Sequence, residues 1–329
     1  MPEHPVSDLA HAFGLVDIAE KSLSPWSPVY RARVIPRGHT EARDVVVKKT
    51  AEARERAEGM AAWTRMLMAN GFPVVAPIGL DAPNPQAIGE DWYVVYPFIE
   101  GRPYAAGDDV AALGDLLGRL HATQVRTGIV GGLRTYSWPE ATRDDVDADL
   151  AAFREQLPRV LGAEDAAKSL AALHSLADRW WDHSLPALRA ADDEHALPYA
   201  SVTSDYKAAN VIFSASGPTV VDPDNGGWEP RLFDLAMAVV LLHNESPSAP
   251  ARMMTAQEWN DFYSSYARHI SLTSTERKLW PAALDHMAWE EGTWALEDNE
   301  DAAYADARQG GYLRDLATMP MERFQLPAA

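Results

Sequence analysis

The chain has 329 residues, 47% of them hydrophobic, no cysteine and a formal net charge of −19. This excludes disulfides, thiolate metal sites and a cysteine nucleophile, and leaves length enough for a core divided between two lobes. No stretch approaches the ~20 apolar residues that span a bilayer, and so acidic a chain disfavours nucleic acid as a partner.

Met1-Pro2-Glu3-His4 is not a basic segment leading into an apolar one, so no secretory signal is expected and a cytoplasmic protein is. Residues 1–22 read as partly helical. Residues 29–35 alternate as a strand does, 36–40 read as a turn, and 44–48 as a second strand. Residues 51–69 carry Met60, Trp63 and Leu67 near helical spacing, and Asn70-Gly71 stops that helix. Two apolar stretches follow, 74–80 and 92–99. Glu100-Gly101-Arg102-Pro103 marks a break, giving a small β-rich lobe over 1–99 and a larger one over 100–329.

Beyond the break the pattern is mostly helical. Helices are expected over 110–123, 144–161 and 163–191, then over 232–243 and 257–268, with 276–312 largely helical. A hairpin interrupts them: the apolar runs 211–213 and 220–221 flank a turn at 214–218. Charge is uneven along the chain. Nine basic residues between Arg31 and Arg65 outnumber the acids there, whereas Asp285 to Asp306 holds eight acids and no Lys or Arg. Such a segment favours cationic partners.

The hairpin region carries the chemistry. In Ser204-Asp205-Tyr206-Lys207-Ala208-Ala209-Asn210 an Asp precedes an Asn by five residues, and Val220-Val221-Asp222-Pro223-Asp224 ends the second apolar run. Phosphoryl transfer from a nucleotide needs one carboxylate at the substrate hydroxyl, and an amide oxygen and a second carboxylate for Mg²⁺.

These residues, in this order, resemble the aminoglycoside phosphotransferase family, whose members share the fold of choline kinases and protein kinases. That family carries His-Gly-Asp-x4-Asn, where this chain has Thr203-Ser204-Asp205-x4-Asn210. Its Ile-Asp-Phe-x-Asp stands here as Val221-Asp222-Pro223-Asp224. Its Arg-x-x-Asp-Leu-Ala helix start matches Arg231-Leu232-Phe233-Asp234-Leu235-Ala236. Leu117-Gly118-Arg119-Leu120-His121 resembles its Leu-x-x-Leu-His helix, and Asn70-Gly71-Phe72-Pro73-Val74 its Gly-x-Pro-Val element. The match runs over residues 25–245.

The resemblance implies an α+β, bilobal protein-kinase-like fold and an O-phosphotransferase using ATP or GTP with Mg²⁺. Asp205 is then the catalytic carboxylate and Asn210 and Asp222 the metal ligands. Asp224 is a further ligand, a supporting group, or an Asx-turn residue. Asp234 locks the catalytic loop. Lys48, favoured over Lys49, neutralises the nucleotide phosphates, and its carboxylate partner is Glu58 or Glu55. Ser27 lies in Ser24-Pro25-Trp26-Ser27-Pro28, where the phosphate-covering loop belongs, although glycines are lacking. Pro97, Phe98 and Ile99 form the hinge that meets the base.

The expected acceptor is a small cationic, hydroxylated molecule, drawn to Glu290, Glu291, Trp294, Glu297 and Asp298, with Glu300 and Asp301 in the same group. A solvated helix face also accounts for any single one of these acids, and Trp280, Trp289 and Trp294 equally suit a core. An aminoglycoside or aminocyclitol antibiotic is the first choice, within the spectinomycin-type kinases, with the protein a monomer or weak dimer. A metabolic kinase of choline or homoserine, and a nucleotide-binding pseudokinase, stay open. The pseudokinase reading follows from Thr203 in place of His.

Overall fold

The computed structural model describes residues 6–24, 27–299 and 301–327. Pro25 and Trp26 of the loop read above, Glu300 of the acidic group and the first residues lie outside these. The chain is a β-rich N-terminal sheet followed by a largely helical region, as expected. It packs as two compact units. The first comprises residues 1–102, 123–134 and 212–227; the second comprises 103–122, 135–211 and 228–329. The hairpin strands and the two Asp residues that follow therefore group with the N-terminal sheet rather than with the helices, so the division is not a single cut after residue 99.

In the first unit, five antiparallel strands run β1 (Leu15–Ile18), β2 (Val29–Val34), β3 (Arg43–Ala51), β4 (Gln86–Ile88) and β5 (Asp91–Pro97), in the spatial order β1-β2-β3-β5-β4. The short strands β1 and β4 escape sequence reading because four and three residues carry too little alternation. Helix α1 (Val6–Phe13) covers one face: Leu9 and Phe13 pack with Ala32, Val45, Val47, Tyr93 and Val95. Helix α2 (Arg54–Ala69) ends at Asn70 and at Gly71, whose φ of +79° is the left-handed conformation glycine adopts freely. The 74–80 stretch forms only an isolated parallel bridge, Val74 to Val220.

In the second unit, helix α3 (Val110–Ala122) buries Leu113, Leu116, Leu117 and Leu120. Later helices span Arg143–Leu161, Ala163–Arg179, Leu185–Asp193, Arg231–Leu241, Ala256–Tyr266 and Ser274–Met287. Three start with full capping boxes, Thr142 with Asp145, Thr255 with Glu258 and Thr273 with Glu276. Each of Trp180–Ser184 and Ala288–Gly292 is a π-helical turn between α-helical segments. Sequence pattern does not reveal such turns, since they insert a residue without changing its character.

α3 and the helix Ala256–Tyr266 pack closely because Gly114 presents no side chain there. A Cβ at Gly114 would fall inside van der Waals contact of the Phe262 carbonyl oxygen, which is backbone and cannot swing away. Gly114→Ala should therefore lower unfolding free energy by roughly 1–3 kcal/mol, read as a lower urea midpoint at unchanged m-value.

Candidate active site

The first unit supplies a cationic group. Side chains alternate across a strand, so Val47 points into the cluster under α1 and Lys48 points to the opposite face. The register Lys48↔Val94 and Val46↔Tyr96 places Lys48 on the face of Val94 and Tyr96. Val75, Val94 and Tyr96 form a small cluster there with Ile99 and Val221. The hairpin docks beside it: Val75 N donates to Val220 O (3.0 Å) and Val220 N to Pro73 O (2.9 Å). The next residues then reach Lys48. Its Nζ lies 2.6 Å from Asp222 Oδ1 and 3.0 Å from Asp224 Oδ2.

Burial works against the charge on Lys48, but Asp224 and Asp222 outweigh it and hold the ammonium above the usual lysine range. The carboxylates differ. Asp224 is buried and also accepts from Tyr96 Oη (2.8 Å). Desolvation raises its pKa, opposed by Lys48 and reinforced by Asp222. With Tyr96 on one oxygen and Lys48 on the other, Asp224 anchors Lys48. Asp222 keeps 42% of its side chain exposed, and Lys48 engages its Oδ1.

Lys48, not Lys49, meets these acids; Lys49 pairs with Asp91 at 2.7 Å. The helix carboxylate expected beside Lys48 is not its partner in this structure. Glu58 lies on the solvent side of α2 and bonds Arg54 at 2.9 Å, and Glu55 is exposed. What α2 contributes is Arg56, whose Nη2 donates to the carbonyls of Asp224 (2.9 Å) and Gly226 (2.8 Å). In sequence Arg56 resembles any other arginine of a polar helix face, so nothing singled it out.

The hinge and loop segments also belong to this unit. Pro97 has no N–H, and Phe98 N donates to Asp44 O (3.1 Å). The Phe98 ring lies under the Arg31 guanidinium, 4.3 Å from its centroid. Ser27 is half-buried, in a loop closed by Ser22, whose Oγ donates to Ser24 O (2.7 Å) and accepts from Val29 N (3.2 Å).

The second unit supplies the loop of Asp205. Buried Asp234, near the start of helix Arg231–Leu241, accepts from Ser204 N (2.9 Å), Thr203 N (3.1 Å), Thr203 Oγ1 (3.1 Å) and His121 Nε2 (3.0 Å). The Thr203 hydroxyl thus supports the loop where the family motif has histidine. Ser204 adopts φ +49°, a left-handed conformation at the glycine position of that motif. Such a conformation costs a non-glycine residue of order 1 kcal/mol. Its hydroxyl donates to Glu229 Oε2 (3.1 Å).

Asp205 Oδ1 lies 3.1 Å from Lys207 Nζ, which is also 2.7 Å from Glu245 Oε2. Burial opposes the charge on Lys207, but Asp205 and Glu245 raise its pKa. Asn210 Nδ2 donates to Asp205 O and to Asp205 Oδ2, both at 3.0 Å. That fixes the amide so that Oδ1 is left for another partner. Lys207 was not singled out in the sequence because loop lysines are usually solvated; here two acids bury it.

The acidic segment divides. Glu290 and Glu291 lie in the π-helical turn Ala288–Gly292; burial, followed by the charges of Glu290, Glu229 and Glu291, raises the pKa of the Tyr136 hydroxyl. Burial, then Glu291 and Asp149, push Glu290 up to about 7, with Arg189 opposing. Glu297 is exposed and lines an open groove of about 490 Å³ with Gln156 and Arg159. Asp298 and Trp294 are exposed. Trp280 stacks on Trp259 (5.3 Å) and Trp289 on Trp180 (5.4 Å), so both are core.

A family model described as "Phosphotransferase enzyme family" (APH) matches residues 24–269. The chain belongs to the APH phosphotransferase family. It is an APH-family phosphotransferase acting on a small molecule, with the protein-kinase-like fold of that family. Among solved structures it is similar to a spectinomycin phosphotransferase, APH(9)-Ia, crystallised with ADP and spectinomycin: 16% identity, TM-score 0.56, 99% of this chain and 100% of that one. It is similar to an aminoglycoside phosphotransferase from Alicyclobacillus acidocaldarius at 15% identity and TM-score 0.60, covering 98% and 94%. A microcompartment-associated aminopropanol kinase gives 14% identity and TM-score 0.59, covering 98% of each chain. These likenesses share the fold. Comparison with curated proteins found no significant match.

Two outcomes follow. Lys48→Ala leaves buried Asp224 without its counter-charge, and should cost about 3 kcal/mol of stability in urea denaturation. Glu290 holds a proton in the folded state that the unfolded chain has released, so its contribution lowers stability as pH rises from 4.5 to about 7. The loss approaches about 3 kcal/mol. Glu290→Gln should shrink the stability difference between pH ~5 and ~8, measured by denaturation at both.

Proposed function

We propose that this phosphotransferase moves the γ-phosphoryl group of ATP or GTP to a hydroxyl of a small cationic molecule. An aminoglycoside- or aminocyclitol-type antibiotic is the favoured acceptor, in resistance or self-protection. The observation that carries the reading is the loop of Asp205. Its carboxylate is held by Lys207 and Asn210, and its backbone is locked onto Asp234. A binding module has no need of a carboxylate positioned in this way, and Thr203 sustains the loop through its hydroxyl. The solved neighbours carrying ADP or AMP-PNP support nucleotide use.

Asp205 would accept a hydrogen bond from the acceptor hydroxyl, align it with the γ-phosphorus and receive its proton as the new P–O bond forms and the bond from the γ-phosphorus to the β-phosphate oxygen breaks, releasing ADP or GDP. Lys48 would lie against the α- and β-phosphates, moving from Asp222 while Asp224 keeps its position. No cluster of three or more His, Cys, Asp or Glu suited to a metal occurs among the described residues. Mg²⁺ nonetheless fits, because it takes one or two protein oxygens and completes its shell with phosphate oxygens and water. Within the second unit Asn210 would offer Oδ1, its nitrogen being spent on Asp205, and within the first unit Asp222 would offer its half-exposed carboxylate. When bound, Mg²⁺ neutralises charge on the phosphates. Asp224, engaged by Lys48 and Tyr96, fits the anchoring role better than a ligand role.

A coupled ADP- or GDP-release assay against aminoglycosides, aminocyclitols, aminopropanol, choline and homoserine tests this. At least one acceptor should be turned over with Mg²⁺, and Asp205→Asn should lower kcat by at least about 100-fold. Undiminished turnover in that variant removes Asp205 from its role. No turnover of any acceptor, with no nucleotide bound, removes the kinase reading.

A further inference from the structure

The face of α2 that meets the turn after Asp222 is not the face that carries its carboxylates. Arg56 Nη2 donates to the carbonyls of Asp224 (2.9 Å) and Gly226 (2.8 Å). Buried Trp63 packs against Gly226, where a Cβ would fall inside van der Waals contact of the indole ring. At about 100° per residue, Trp63 falls within about 20° of Arg56 around the helix, whereas Glu58 is turned about 160° away. Glu58 and Glu55 are exposed, and Glu58 pairs with Arg54. Turning Glu58 toward Lys48 would roll α2 far enough to break both contacts with the turn. A third contact resists such a roll. Gly59 packs on Gly132, and a Cβ at Gly59 would overlap the Gly132 carbonyl, which is backbone.

Asp222 stands between two fixed points. Upstream, Val75 N donates to Val220 O (3.0 Å), and Val221 packs on the cluster of Val75, Val94 and Tyr96. Downstream, Gly226 N donates to Pro223 O (2.9 Å) and closes the turn 223–226. Pro223 restricts the backbone directly after Asp222. Two carbonyls of the turn accept from Arg56, and the Asp224 carboxylate accepts from Tyr96 Oη (2.8 Å). The Asp222 side chain is the exposed part of this loop, and its direction is set by backbone that α2 holds. Removing the guanidinium would take one donor from two carbonyls at once.

We propose that Arg56 is a positioning residue for phosphoryl transfer: through the turn 223–226 it directs the Asp222 carboxylate at the metal of a bound metal–nucleotide, and so ties α2 to the site without a lysine–glutamate pair. Arg56 acts through the carbonyls of Asp224 and Gly226 and not on the reacting atoms. Trp63 and Gly226 set how deeply the turn seats against the helix. Groups that orient a metal ligand govern metal affinity almost as strongly as the ligand does. Loss of the Arg56 donors should therefore weaken what the metal adds to nucleotide binding. It should spare the part of binding that Lys48 supplies through its own charge on the phosphates.

This rests on the phosphotransferase reading, but its test needs no phosphoryl transfer. Calorimetry would measure binding of ADP to the full-length protein, once with EDTA and once with saturating Mg²⁺. Wild type should bind ADP more tightly with Mg²⁺. Arg56→Met, which keeps an apolar stem and removes the donors, should lower that gain about 10-fold, while metal-free ADP binds as it does to wild type. General destabilisation would weaken both alike. Gly226→Ala, which drives a Cβ onto Trp63, should give the same signature, and supplies a second reading if Arg56→Met fails to fold. Glu55→Gln and Glu58→Gln should match wild type in both measurements. The proposal is overturned if Arg56→Met keeps the full Mg²⁺ gain or weakens metal-free ADP equally, or if either glutamate variant loses the gain. It is also overturned if wild type binds ADP with no Mg²⁺ gain, an outcome that leaves nucleotide binding standing. Wild type that binds no nucleotide under either condition defeats the phosphotransferase reading as well.

Discussion

The carboxylate of Asp234 is the point on which the loop of Asp205 depends. It is buried, and a buried carboxylate is tolerated only when its lone pairs are filled. Two backbone amides, the Thr203 hydroxyl and His121 fill them. The loop cannot leave this position without stranding a charge. That restraint lets Ser204 keep its left-handed backbone, so that Asp205 follows from a fixed direction. Arg231, three residues before Asp234, makes a bidentate pair with fully buried Glu276 (both contacts 2.8 Å). The helix carrying Asp234 is therefore held at its own start.

The same logic governs the cationic group of the first unit. Lys48 and Asp224 are each costly alone in a low-dielectric surrounding, and together they are acceptable. Tyr96 satisfies the remaining oxygen of Asp224, and Arg56 ties down the backbone around it. Asp222 is more exposed and is bound to Lys48 by one oxygen.

The net charge of −19 acquires a local meaning in the structure. Of the acidic C-terminal segment, Glu297 and Asp298 face solvent. Glu290 and Glu291 lie in a π-helical turn, where burial pushes Glu290 up to about 7. One acidic run therefore contains both solvent-facing and part-buried carboxylates, and composition cannot separate them.

Several features follow from the amino-acid sequence by itself. The ordered motifs from Asn70-Gly71 to Arg231–Ala236 give the family and with it the fold. Strand periodicity gives β2, β3 and β5, and helical periodicity gives α2, α3 and the helices beyond. These are short-range patterns, set by one buried face per element. The partners of charged groups are different, because they depend on distant segments meeting. Glu58 lies at a plausible spacing from Lys48, yet the sheet register and the docking of Val220 bring Asp222 and Asp224 to Lys48 instead. Arg56, Lys207 and Tyr136 carry no signal in their neighbourhoods. Only tertiary packing decides that Arg56 braces a turn, that two acids pair with Lys207, and that Trp180 and His286 hold the Tyr136 hydroxyl.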